Sequence, residues 1–381
     1  MKTKTMWSAC RPAFFQFVLI AFLLFIFAGP AAAGTVTLDT SPEVAAFFQK
    51  SKRNEAFLVA FLHKMPKGAD LHNHPSGAVN TETFLDNFIN WKSTDGKQKL
   101  LFDRNAKAFV LKNMNEPKDE RYYDADDLKF SFWKMGEVLD ALSMRNMDKQ
   151  PESGHDHFFR VFERYGPAEP TPEAKVRELI ERARGQRISY LELMMDPVEK
   201  SDGTVDMDAT MEIISKMRAE IEKIHREAQN VTPGEEANDG NWNVELAYIL
   251  TLNRNGVKKV DGKSTLAGYE DFFRGKVKAV LERAVKENEV RGVTILSAED
   301  AWISRSQFDL QMKIIDEEWQ KLQSSYPGRP KMNLHGGELT LEHSPYEVMR
   351  DRISRAIEQG HASRIGHGVD IMWEADVYGL L

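Results

Sequence analysis

Apolar positions fall into two alternating kinds of segment along this chain. Short runs at 68–74, 187–196, 243–254, 292–299, 331–338 and 363–369 are apolar or alternate with period two, and turn residues bound them. Longer segments at 172–184, 209–228, 269–286, 308–323 and 344–359 repeat apolar residues at helical spacing. Strands alternating with helices predict βα units and a parallel sheet, hence an α/β fold. Helical spacing also covers 41–63, where Val44, Phe47, Phe48, Phe57, Leu58 and Phe61 recur. A long section, about 80–166, separates the first two strands as an insertion, and its 130–142 and 158–164 parts are expected to be helical. Its aromatics are assigned to core burial rather than to covering a pocket. Pro, Gly, Glu and Asn make 230–241 a solvated loop.

Composition changes the picture most at the N-terminus. Lys2, Lys4 and Arg11 precede an apolar run from Phe17 to Ala28, and small residues through Ala33 follow. A basic start, a short apolar stretch and an Ala-x-Ala site are the parts of a secretory signal. The run is shorter than the roughly 20 apolar residues that span a bilayer. Residues 1–33 are therefore expected to be a signal peptide cleaved after Ala33, leaving a secreted or periplasmic protein with no stable membrane anchor. Residues 34–66 would form a helical segment and 67–381 the main domain. The single cysteine, Cys10, falls in the signal, so disulfides are not available to the mature chain. Formal net charge is -7, and removing three signal cations gives -7 - 3 = -10. That balance argues against a nucleic-acid or anionic-membrane partner.

Three clusters carry chemistry. In "ADLHNHPSG", His72 and His74 share one face of a strand, and Pro75 ends its ladder. Two imidazoles spaced in this way can converge on one cation. In "MNLHGGELT", His335 ends an apolar strand, Gly336 and Gly337 clear space, and Glu338 follows within reach. A histidine and a carboxyl beside a metal offer a ligand and a proton donor. In "RIGHGVD", His367 stands between Gly366 and Gly368, which leaves its ring open to approach. Taken singly, each has a plain structural explanation: a packed histidine, or a Gly-Gly turn with a solvated glutamate. An internal control is His155-Asp156-His157, which has the same spacing but precedes a helical pattern. There the two rings would diverge, and Ser153 to Asp156 act as turn or helix-start residues.

The order of "MPKGADLHNHPSG", "LHGGE" and "RIGHGVD" resembles the adenosine deaminase family. The insertion and the Met-Pro-Lys-Gly lead-in look like its secreted, growth-factor-related branch. The resemblance runs from about Phe57 to the last residue. It implies a TIM-type (β/α)8 barrel of the metal-dependent hydrolase kind, here incomplete, with about six of eight strands. It implies one zinc ion on His72, His74 and His335, a proton donor in Glu338, and His367 orienting and deprotonating the attacking water. Bound zinc lowers the pKa of a water to about 7. The implied reaction is hydrolytic deamination of adenosine, or a related purine nucleoside, to inosine and ammonia. Ser76 matches a ribose contact. Ser297 falls where the family usually has a glycine facing the purine. The family's last strands end in an Asp-Asp pair that has no counterpart here, because Asp370 does not match it. The chain is therefore expected to be a fragment, with exposed sheet edges and little activity alone. The alternative reading is a non-catalytic extracellular nucleoside-binding or growth-factor-like protein.

Overall fold

The computed structural model describes residues 41–229 and 242–380. The expected signal peptide and the 230–241 loop lie outside the described residues. Two compact units divide at Leu62 and His63.

In the first unit, the helical pattern at 41–63 is broken. Helix α1 (Pro42–Ser51) starts on Ser41, whose hydroxyl accepts the Val44 N–H at 3.3 Å, with Pro42 in the first turn. Helix α2 (Glu55–Lys64) restarts on Asn54, whose side chain accepts the Phe57 N–H at 3.1 Å. That cap converts one long helix into two. The rings of Phe47 and Phe48 lie 5.9 and 5.2 Å from Phe61.

The second unit is built on a six-stranded sheet in chain order. Its strands are β1 (Gly68–Asn73), β2 (Ile188–Met195), β3 (Glu245–Asn253), β4 (Val290–Leu296), β5 (Lys331–Gly336) and β6 (Ala362–His367), all paired in parallel. Helices lie between them, including α3 (Pro172–Gly185), α4 (Met207–Gln229), α5 (Tyr269–Ala284) and α6 (Phe308–Leu322). The segment at 344–359 splits into two short helices, Tyr346–Met349 and α7 (Arg352–Glu358).

Period-two alternation divides each strand between two environments. One face carries Leu191, Leu193, Tyr248, Leu250, Leu252, Val293, Ile295, Met332 and Leu334 into a core with Phe273, Val277 and Val280 of α5 and Ile314 and Ile315 of α6. The opposite face carries Glu192, Thr251, Thr294 and His335, all buried yet polar. The sheet curls around this polar face. Arg364 of β6 donates to the Leu71 carbonyl of β1 at 3.2 Å and pairs with Glu192 of β2, so the two marginal strands meet through a side chain. The architecture is a partial (β/α) barrel with the helices outside.

The insertion holds a feature that the hydrophobic pattern did not announce. A three-stranded antiparallel sheet, Gln98–Asp103, Ala108–Asn113 and Tyr122–Tyr123, lies between its helices. Phe84, Phe88, Phe102 and Phe109 are buried as expected, but Phe130, Phe132 and Trp133 are 87, 90 and 87% exposed. The cause is local. Ser131 is extended and caps helix Phe132–Leu142 through the Lys134 N–H at 3.4 Å. The expected 130–142 helix therefore breaks there, and its aromatic flank turns outward.

Candidate metal centre

The C-terminal ends of β1, β5 and β6 bring four imidazoles together. Pro75 has no N–H to continue β1 and instead opens the short helix Pro75–Ala78, leaving His72 and His74 at the strand's end on the polar face. His74 Nε2 lies 3.2 Å from His72 Nε2 and 3.1 Å from His335 Nε2. The His72 and His335 ring centres are 4.6 Å apart, and His367 lies 4.8 and 5.0 Å from them.

Hydrogen bonding alone does not account for this packing. A neutral imidazole nitrogen either donates one proton or accepts with one lone pair. His74 Nε2 therefore satisfies one of its two Nε2 neighbours and leaves the other facing it without a bridging proton. A cation resolves the conflict. With metal–nitrogen bonds of about 2.0–2.1 Å, two ligands of a tetrahedral ion stand about 3.3 Å apart, close to the observed 3.1 and 3.2 Å. His335 is further prepared: its Nδ1 lies 2.7 Å from Thr294 Oγ1 on β4, which turns Nε2 toward the other rings. Candidate ligand atoms of His72, His335 and His367 also fall within 4.8 Å of one another. The donor set is wholly imidazole, which suits zinc and neighbouring transition metals rather than magnesium or calcium.

Charge state agrees with that fit. Burial, then the proximity of His367, lowers His72 to about 4, and burial, then His72, lowers His74 to about 4. Burial, reinforced by His72 and His74, depresses His335, and burial also depresses His367. Four rings held neutral are four rings able to coordinate.

Glu338 lies beside this cluster, with one carboxylate oxygen 3.9 Å from His367 Nε2. Burial raises its pKa, and the neighbouring Glu299 carboxylate raises it further, so the proton is retained to higher pH than in an ordinary glutamate. Gly337 permits the tight turn into Glu338: its φ is +70°, and a Cβ there would lie 2.0 Å from Asp370 Oδ1. Gly366 does not open space for His367, as its flanking position suggested. Its Cβ would fall 2.7 Å from His72 Cε1, so the missing side chain makes room for the neighbouring ligand ring.

The two expected substrate contacts sit in different settings. The Ser76 hydroxyl donates to Glu169 at 2.7 Å and accepts from Lys175 at 2.9 Å, tying the rim after β1 to the insertion's end and α3. Ser297 follows β4 with φ +101°, a backbone state that favours glycine, and its Oγ accepts from Asn255 at 2.8 Å. In the control motif the rings part company. His155 Nε2 faces Asp300 at 3.3 Å, while buried His157 bonds Glu152 at 2.6 Å and the Ser143 carbonyl at 2.9 Å. Sequence reasoning passed over Thr294, Arg254 and Glu299. Thr294 was marked by its place between the apolar Val293 and Ile295, but nothing in the pattern marked the other two as partners.

No family model matches the chain, and a search of curated proteins finds no match. Solved structures give distant likenesses. A zinc-bound amidohydrolase from Burkholderia ambifaria is 16% identical with TM-score 0.43, covering 83% of this chain and 62% of its own. An adenine deaminase from Arthrobacter aurescens is 16% identical with TM-score 0.44, covering 83% and 69%. The N6-methyl-AMP deaminase of Arabidopsis thaliana is 13% identical with TM-score 0.43, covering 84% and 68%. The chain thus spans less than two thirds of the amidohydrolase's length. At these values the functional reading stands on the chain's own side chains.

Proposed function

We propose that this chain carries the zinc site of a purine nucleoside deaminase, with adenosine as the substrate and inosine and ammonia as products. The observation that carries the reading is the approach of His74 Nε2 to both His72 Nε2 and His335 Nε2. His72, His74 and His335 hold the ion. When bound, zinc lowers the pKa of a water and so supplies a nucleophile at neutral pH.

The remaining work falls to the chain. Glu338, its pKa raised by burial and by Glu299, donates a proton to a purine ring nitrogen as water adds to the ring carbon that bears the amino group, which leaves as ammonia. His367, its pKa lowered by burial and its Nε2 3.9 Å from the Glu338 carboxyl, takes the proton lost by the attacking water. Thr294 keeps His335 in the tautomer that presents Nε2. Ser297 lines the base side, and Ser76 stands at the ribose side with its hydroxyl shared between Glu169 and Lys175.

Metal content and ammonia release test the two halves separately. The purified protein is expected to hold one zinc per chain, lost from His335→Ala, and to release ammonia slowly from adenosine until a chelator is added. Zinc retained by a variant lacking His72, His74 and His335 overturns the metal site. Adenosine bound by the zinc form with no chelator-sensitive ammonia makes the protein a binding module.

A further inference from the structure

We propose that Arg254 and Glu299 are positioning residues, a buried ion pair that sets His335 and Glu338 relative to each other. The inference rests on the metal-site reading above and concerns groups outside the histidine cluster.

Arg254 follows β3 and is 1% exposed. Its guanidinium acts as a rivet through the ends of three strands. Nη2 donates to the carbonyls of His335 at 3.0 Å and Ile295 at 3.3 Å, Nε donates to Leu296 at 3.3 Å, and Nη1 reaches Glu299 Oε1 at 3.4 Å. The Arg254 carbonyl is held in turn by Tyr269 at 3.1 Å and Gln311 at 2.9 Å, so the backbone cannot drift. Glu299, also buried, spends its second oxygen on the Glu338 N–H at 2.7 Å. One continuous path therefore runs from the carbonyl of a proposed zinc ligand to the amide of the proposed proton donor.

Energetics favour a positioning role over a merely stabilising one. Taking two full charges out of water costs free energy that their attraction only partly returns, and well-packed apolar residues of similar volume are often as stable or more so. What an apolar pair cannot reproduce is direction: a planar guanidinium fixes several carbonyls at set angles. Strand ends otherwise have free carbonyls and loose tips. A site whose two halves leave β5 three residues apart, separated by two glycines, needs such a brace.

The experiment replaces the pair by Arg254→Met/Glu299→Leu and, separately, makes Arg254→Lys. Readouts are the melting temperature, Co²⁺ affinity and the visible Co²⁺ spectrum, which reports ligand geometry without turnover. The double variant is expected to melt near the wild type while Co²⁺ affinity falls about ten- to hundredfold, as loss of outer partners does elsewhere, and the spectrum changes. Arg254→Lys keeps the charge but loses the fork, and is expected to show the same weakened affinity. Wild-type affinity and spectrum in either variant overturn the inference. If the double variant does not fold, Arg254→Lys decides alone. A wild-type protein that binds no Co²⁺ removes the metal site itself, a result separate from failure of the brace.

Discussion

His367 shows how far one backbone angle controls this site. Arg364 and Gly366 both face the polar interior, so unbroken alternation would send His367 outward. Its φ of +84° breaks the alternation and turns the ring to within 5.0 Å of His335. A non-glycine residue in that region costs about 1–3 kcal/mol and persists where the surroundings enforce it. Ser297, at φ +101°, is the second such residue beside the site. Ser297→Gly is expected to stabilise the protein by roughly 1 kcal/mol in urea unfolding; a loss of stability would show that the Asn255 contact outweighs the strain. Gly366→Ala is expected to do the reverse for the site, pushing the His72 ring aside and cutting zinc affinity at least tenfold by competition with a chelating dye, while leaving β6 paired.

At the scale of elements, the loop after β6 packs Asp370 against Gly337 at the tip of β5. Burial, then Glu299 and Glu374, lifts the Asp370 carboxyl from 3.8 to about 7. Between those values the folded state keeps a proton that the unfolded state has released. Its contribution is therefore largest at low pH, is lost as pH rises through the window and is level above it. Asp370→Asn is expected to flatten the fall in stability between pH 4 and pH 7 and to raise stability at pH 8 by up to roughly 4 kcal/mol. Melting curves of the metal-free protein across that range check the sign. The elements themselves were largely legible. All six sheet strands follow apolar runs, because strands covered by helices must be apolar on the covered face. Legibility failed where capping decides: Asn54 and Ser131 each divide a helical pattern with one side-chain bond, and apolar spacing carries no record of it. The insertion's antiparallel sheet escaped for another reason. Its strands bury Phe102, Phe109, Tyr122 and Tyr123 within a section whose other buried aromatics, Phe84, Phe88 and Tyr165, sit on helices, and no periodicity separates the two.

Across the whole molecule, the candidate ligands were readable because each sits where an apolar strand meets proline or glycine. Their neighbours were not: Arg254 reaches its partners Leu296, Glu299 and His335 across 42 to 81 residues of sequence. Binding of zinc is expected to stabilise the folded chain by about 4 kcal/mol at a thousandfold excess over the dissociation constant. The check is a rise in melting temperature that His335→Ala abolishes.

The meeting of β1 and β6 through Arg364 has one more consequence. No ladder joins those two margins, so the seam between them is the natural place for the molecule to breathe. A metal held jointly by His72 and His74 on one side and His335 on the other would act as a clasp across it. Stripping that ion should speed amide hydrogen exchange at residues 69–72 while residues 248–252, deep in the sheet, keep their protection.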